Sequence, residues 1–360
     1  MTGITSSNFL DLDFIEKQKR INLGLDLQGG SYLLLELDNT PVIQQKLQSK
    51  LLEIKDFLKK KDIKYSKFIL INKKISFSVD SNQIEEVNKF LNDKDSVINP
   101  YYQQYKSHQL NVDNKDNNYT LSLSKYGIIQ IKNSSLDQAI EIVRNRVDEV
   151  GTNEPSILKR GNDRILLELP GLDNPDRIKS LLGKTANLSF RLVSTNNEES
   201  FGSEKIKSAE TGEDLIINKR VILSGDNLID ANPRMDSFNN QTVVSFTLDR
   251  VGSKRFAQAT KKNIGNQLAI VLDNQVISAP VIKDAIVSGS GQISGGFTFQ
   301  SATDLALLLR SGALPAPLNI IEERSVGPDL GEDSIKAGVI SLIIGFLLVI
   351  FFMIYKYKIF

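Results

Sequence analysis

Hydrophobic spacing divides this chain into short alternating runs, three- and four-spaced stripes, and one long uncharged stretch near its end. Tyr32–Asp38 (YLLLELD) predicts a strand, and a helix follows with Thr40 as N-cap and Pro41 at its first position. Its apolar stripe is Ile43, Leu47, Leu51, Ile54 and Leu58, the spacing of one helix face. Strands at Tyr65–Ile71 and Ile75–Val79, a helix at Gln83–Leu91 and a strand near Val97 complete a first βαββαβ run. A second begins with a strand at Thr120–Ser124 and a helix at Leu136–Val150. Ser135 and Gln138 fit a capping box there, and Gly151 fits the left-handed position that ends a helix. Strands at Ser156–Lys159 and Arg164–Leu169 flank the turn Gly161-Asn162-Asp163. A short helix from Asn174-Pro175 to Gly183 leads to a strand at Asn187–Val193, where Leu188, Phe190 and Leu192 alternate. The order predicts an α+β fold with two ferredoxin-like (βαββαβ) units.

Beyond Ser194 the pattern changes. Thr195–Asp214 is polar and reads as a mobile loop. Strands resume near Val221, at Thr242–Leu248, Gln267–Leu272 and Val276–Val281, with a helix at Ser253–Ile264. Gly289–Gly296 reads as a turn or hinge, Ala302–Arg310 as a helix and Ala316–Glu323 as an extended stretch. These shifts predict an α+β head inserted at about 194–296 into a base formed by 21–193 and 297–330. Ala337–Tyr355 (AGVISLIIGFLLVIFFMIY) carries no charge, and at about 1.5 Å per residue it matches a hydrocarbon core of about 30 Å. Lys356 and Lys358 follow it, which predicts a cytoplasmic C-terminal end and an outward polar bulk. Met1–Asp13 has no signal-peptide pattern, so residues 1–20 read as a remnant following a missing membrane helix. A tail-anchored scaffold facing the cytoplasm is the competing topology.

Composition narrows the chemistry. With 44 Lys and Arg against 43 Asp and Glu, the chain has no electrostatic footprint for nucleic acid. It has no cysteine and a single histidine, His108. Disulfides, thiolate metal sites and multi-histidine metal centres are therefore excluded. Gly183-Lys184-Thr185 resembles the end of a phosphate-binding loop, but the earlier glycine is replaced by Ile178, and Gly183 closes a helix instead of opening one. Gly289, Gly291 and Gly295 miss the dinucleotide-binding spacing by one residue. No acid pair stands out from solvated surface. The reading is a protein that is not an enzyme and has no cofactor, metal site or catalytic residue.

Three segments rich in glycine or proline remain. They are Ile21–Gly30 (INLGLDLQGG), Arg310–Pro317 (RSGALPAP) and Glu323–Gly331 (ERSVGPDLG). Taken alone, each reads as a turn or a connector. Together with IVRNRVDEVGTNEPSI, RILLELPGL and LSFRLV, in this order, they resemble the SecD family of protein-export membrane subunits.

That resemblance implies a bacterial inner-membrane protein, multi-pass when whole, with a large periplasmic domain between its first and second membrane helices. It places Gly24, Asp26, Gln28, Gly29 and Gly30 just after the first helix, and Arg310, Gly312, Gly327, Pro328 and Gly331 in family motifs near the membrane. It implies SecF, the SecYEG channel, YajC, membrane lipid and unfolded secretory polypeptides as partners. The proton-linked residues of the family lie in later helices, outside this sequence. The implied mechanism is capture of an emerging polypeptide by the head, with movement driven by the proton-motive force about hinges at Thr195 and Gly295-Gly296. Phe238, Phe246 and Phe256 are the candidate polypeptide contacts, with a place in the core as the alternative reading of each. A small-molecule transporter of the wider resistance–nodulation–division superfamily is the alternative.

Overall fold

The computed structural model describes residues 30–115, 117–151, 155–171, 175–194, 202–209, 211–236, 240–326 and 328–357. The chain opens with β1 (Gly30–Leu37) and α1 (Thr40–Lys60), the hairpin β2 (Tyr65–Ile71) and β3 (Lys74–Val79), and α2 (Ile84–Asn92). Two short strands, β4 (Tyr101–Tyr102) and β5 (Ser107–His108), precede the hairpin β6 (Leu110–Lys115) and β7 (Asn118–Leu123). Next come α3 (Lys125–Val150), β8 (Ser156–Arg160), β9 (Arg164–Pro170) and α4 (Pro175–Leu182). The following segment holds β10 (Leu188–Val193), β11 (Ser203–Lys207), β12 (Asp214–Ser224), β13 (Leu228–Met235) and β14 (Thr242–Leu248). It continues through α5 (Arg250–Lys262), β15 (Leu268–Leu272), β16 (Gln275–Ser278) and β17 (Ser290–Phe297). Then α6 (Phe299–Ser311), β18 (Leu318–Val326) and α7 (Pro328–Tyr357) close the chain.

Three bodies emerge from the pairing. The base sheet has the order β18-β1-β9-β8, antiparallel throughout. Leu33, Leu35 and Leu37 of β1 and Ile165, Leu167 and Leu169 of β9 alternate onto one face, where α3 and α4 cover them with Leu136, Val143, Val147, Ile178 and Leu182. A second sheet, β2-β3-β7-β6, packs under α1 and α2 around its own core of Leu47, Ile54, Leu58, Phe77, Leu91 and Tyr119. The head combines β11-β12-β10-β15-β16 with β13-β14-β17. Phe190, Val244, Phe246, Phe256 and Ile270 form its centre. Helix α6 joins head to base. Ala302, Leu305, Ala306 and Leu309 enter the head core, while Leu307 and Leu308 pack with Leu181, Ala186 and Val150.

The runs of elements are close to those expected, but their sheet membership differs. β1 does not pair with β2 or β3, and β7 and β10 lie in two sheets other than that of β8 and β9. Neither consecutive βαββαβ run therefore forms one sheet. β10, expected to close the second run, is the central strand of the five-stranded sheet, and α6 lends one face to the core around Phe190 and Phe246.

Helix α3 starts at Lys125, well before Leu136. Ser124 is its cap, with Oγ accepting the Gly127 N–H at 2.9 Å, and Ser135 lies buried inside the helix. Small and polar residues on the buried stripe (Gly127, Ser135) conceal the first turns from a search for apolar periodicity. At α1, Asn39 is the boundary residue, and Asp38 Oδ1 accepts the Thr40 N–H. No strand forms near Val97, which is 86% exposed. Buried Asn99 closes that segment instead, donating to the Leu91 and Leu110 carbonyls and accepting the Leu110 N–H. The glycine-rich stretch expected as a turn is strand β17, and part of the expected loop after Ser194 is β11.

Candidate functional site: the base–head junction and the head cleft

The chain crosses between base and head at 183–187 and again at 312–317, and the two crossings lie side by side. Leu314 N–H donates to the Thr185 carbonyl at 2.8 Å. Arg146, on the core-facing side of α3, is only 1% exposed. Its Nη1 donates to the carbonyls of Leu181 and Lys184, and its Nη2 to those of Thr185 and Gly312. Helix ends leave carbonyls without intrahelical partners, and here one planar guanidinium gathers several from two elements. Burial pushes its pKa down to about 10, against the pull of the Asp273 carboxylate, so it stays charged at neutral pH.

Asp273 sits in the β15–β16 turn, with φ of 47°. Its carboxylate accepts from Thr185 Oγ1 and from the N–H groups of Ala186 (3.1 Å) and Asn187 (2.9 Å), fixing the first crossing to the head. The second crossing begins at Gly312, whose φ of +91° favours glycine. Just before it, Arg310 makes a two-pronged pair with Glu149 at 2.6 and 3.2 Å, and its Nη1 donates to the Ala231 carbonyl at 2.6 Å. The hydrogen bonds with Glu149 raise its pKa. Glu149 and Arg146 lie one turn apart on α3, so one helix end grips both crossings.

The motif segments separate into two places. Gly30 opens β1 opposite Val326, the last residue of β18, two positions before the first residue of α7, Pro328. With φ of +136°, a Cβ there would lie 2.2 Å from the Leu169 carbonyl oxygen, which reserves the position for glycine. Arg310 and Gly312 sit instead in the base–head junction. Gly24, Asp26, Gln28, Gly29, Gly327, Thr195 and Phe238 lie outside the described residues, and Gly331 falls within α7. Gly295 and Gly296 form an irregularity in the β14–β17 pairing, with Gly296 at φ of +61°, and a Cβ on Gly295 would lie 3.0 Å from the side chains of Ile277 and Phe297.

Phe246 and Phe256, expected as polypeptide contacts, are each 2% exposed. They surround Phe190 at centroid distances of 5.4 and 5.7 Å, so they build the core and do not face solvent. A cleft of about 670 Å3 opens between β12 and α5. Leu192, Val221 and Ile222 line its apolar part, and Arg220, Arg255 and Lys262 its cationic part. Arg146, Glu149 and Asp273 were missed from sequence. One signal was available for Arg146: a charged residue on the apolar stripe of a helix must find buried partners.

Three family profiles match: the SecD/SecF GG motif at residues 18–41, the N-terminal part of the P1 domain of protein translocase subunit SecDF at 136–195, and the SecDF P1 head subdomain at 203–316. The chain is 42% identical over 349 residues to protein translocase subunit SecD of Rickettsia conorii, covering 94% of this chain and 65% of that relative. It is 39% identical over 358 residues to SecD of Calditerrivibrio nitroreducens, covering 94% and 68%. A crystal structure of SecDF in a super-membrane-facing form superposes with a TM-score of 0.54 at 27% identity, covering 94% of this chain and 36% of that one.

Proposed function

This chain belongs to the SecD family of protein translocase subunits, and we propose that it supplies the polypeptide-handling periplasmic part of a Sec export accessory subunit. It spans about 65% of the length of relatives such as the Rickettsia conorii protein, so the activity of a whole subunit is inferred from the family. The family match carries this reading. It is supported by α7, the one helix among the described residues long and apolar enough to span a bilayer, with Lys336–Tyr357 unburied. β18 runs directly into that helix, which suits a base seated near the membrane of the cell.

In this reading the base is a ferredoxin-like unit made of β1, α3, β8, β9, α4 and β18. Their sheet order corresponds to 4-1-3-2, with the α1–β7 body inserted after the first strand and the head after α4. The head cleft takes the emerging chain. Its apolar part suits side chains of an unfolded polypeptide, and its cationic part suits their carboxylates. SecF, the SecYEG channel and YajC are its partners, and the intact complex draws on the proton-motive force without covalent turnover.

The test is photocrosslinking from the head cleft, at Gln258 and Val221, in full-length protein during export. Crosslinks to a stalled secretory polypeptide are expected. Crosslinks confined to other membrane subunits would make the head a docking element. Topology is checked separately: Val287→Cys, at a site 77% exposed, should react with an impermeant thiol reagent added from the periplasmic side.

A further inference from the structure

A second cleft, of about 550 Å3, opens where α1, α3 and the junction loops meet. Its lining includes Gln45 of α1, Gln109 of the turn before β6, Gln130, Ser134 and Gln138 of α3, and Asn187 of the first crossing. Gln130, Ser134 and Gln138 are four residues apart and form one polar stripe along α3. Only Lys46 and Asp226 among the lining residues carry charge, and Leu314 and Pro315 of the RSGALPAP segment contribute apolar surface.

Gln109 is the buried amide among them. Its N–H donates to the Pro100 carbonyl, and its carbonyl accepts the Ser124 N–H, so its backbone is fixed. Gly127 lets α3 approach it, since a Cβ there would lie 2.3 Å from the Gln109 carbonyl oxygen. The residue is 5% exposed, and its Oε1 is buried without a hydrogen-bond partner among the described residues. That oxygen is closed to solvent, so the amides an incoming chain meets are the exposed or half-buried ones of Gln45, Gln130, Gln138 and Asn187.

We infer that this amide-lined cleft holds an extended polypeptide by its main chain. Side-chain amides carry the same donor and acceptor as a peptide group, so they pair with the backbone of any sequence. An extended chain presents unpaired N–H and C=O groups along its length. A small anion would call for converging cations, and a lipid tail for a continuous apolar wall. Neither is found here. The inference rests on the reading of this protein as a handler of unfolded polypeptides, and it adds a contact that does not depend on client sequence.

The test uses the 360-residue chain in lipid nanodiscs and two fluorescent, uncharged peptides of unrelated sequence. Binding is read by anisotropy. Both peptides should bind with similar affinity. The double variant Gln45→Leu/Gln138→Leu, at two exposed positions, should weaken each by about tenfold. N-methylation of alternate peptide groups should do the same. If the double variant and the N-methylated peptide both bind as the originals do, main-chain recognition in this cleft is overturned. If Val221→Asp in the apolar part of the head cleft abolishes binding while the glutamine variant does not, the cleft inference falls and head capture stands. If the unaltered chain binds neither peptide, polypeptide capture falls with it.

Discussion

Arg146 occupies a helix position where the stripe of Val143, Val147 and Val150 leads one to expect an apolar residue, and it is buried there as a cation. Replacing it with leucine removes that charge but orphans carbonyls from both crossings. Arg146→Leu should cost about 3 kcal/mol, and Arg146→Lys should recover little, because an ammonium cannot reach the same spread of acceptors. Urea unfolding in detergent micelles, followed by tyrosine fluorescence, measures both. The pH sign is definite. The folded pKa of about 10 lies below the unfolded value, so this group adds stability as pH rises from about 10 and adds no slope below it. The deficit of Arg146→Leu should therefore be constant between about pH 6 and 9; a deficit that changes with pH there would assign the effect to another group. Sequence motifs located this junction without disclosing its roles. The partners of Arg146 are carbonyls, which no residue type advertises, and one of them, on Gly312, belongs to a distant element. Phe246 of β14 was ambiguous for the opposite reason: an aromatic at an alternating position reads alike whether the strand face meets a core or a client.

Helices and hairpins were legible because their signals are local, and the start of α3 shows where that legibility fails. A capping serine followed by an apolar stripe occurs at Ser135, yet the functioning cap is Ser124, whose Oγ also donates to the His108 carbonyl at 2.7 Å. The two serines separate cleanly by mutation. Ser124→Ala should destabilise the protein by about 1–2 kcal/mol, the cost of losing a cap. Ser135→Ala, inside the helix, should cost less than about 0.5 kcal/mol, since alanine has the better helix propensity. Equal losses at the two positions would contradict the long helix. Sheet membership was not legible for a related reason. β1 pairs with β9 and β18 across two large insertions, and alternation along a strand shows which face is buried without showing which neighbour supplies the hydrogen bonds.

At the scale of the whole molecule, the three bodies are not equally independent. The α1–β7 body has its own core, whereas base and head share α6, which is apolar toward both. The shared helix and the arginine clamps link base and head as one folding unit, with the α1–β7 body able to open separately. Hydrogen exchange read by mass spectrometry tests this. Phe77→Ala empties a site that is 1% exposed and should accelerate exchange across residues 40–123 while leaving β12 and β15 protected. Leu308→Ala, at a site 2% exposed, should cost about 2–5 kcal/mol and accelerate exchange in β9 and β15 together, although those strands lie in different sheets. If Leu308→Ala loosened only one of the two, base and head would be separable bodies. The junction would then act as a swivel, and force applied to the head would reach the membrane helix only through the two crossings.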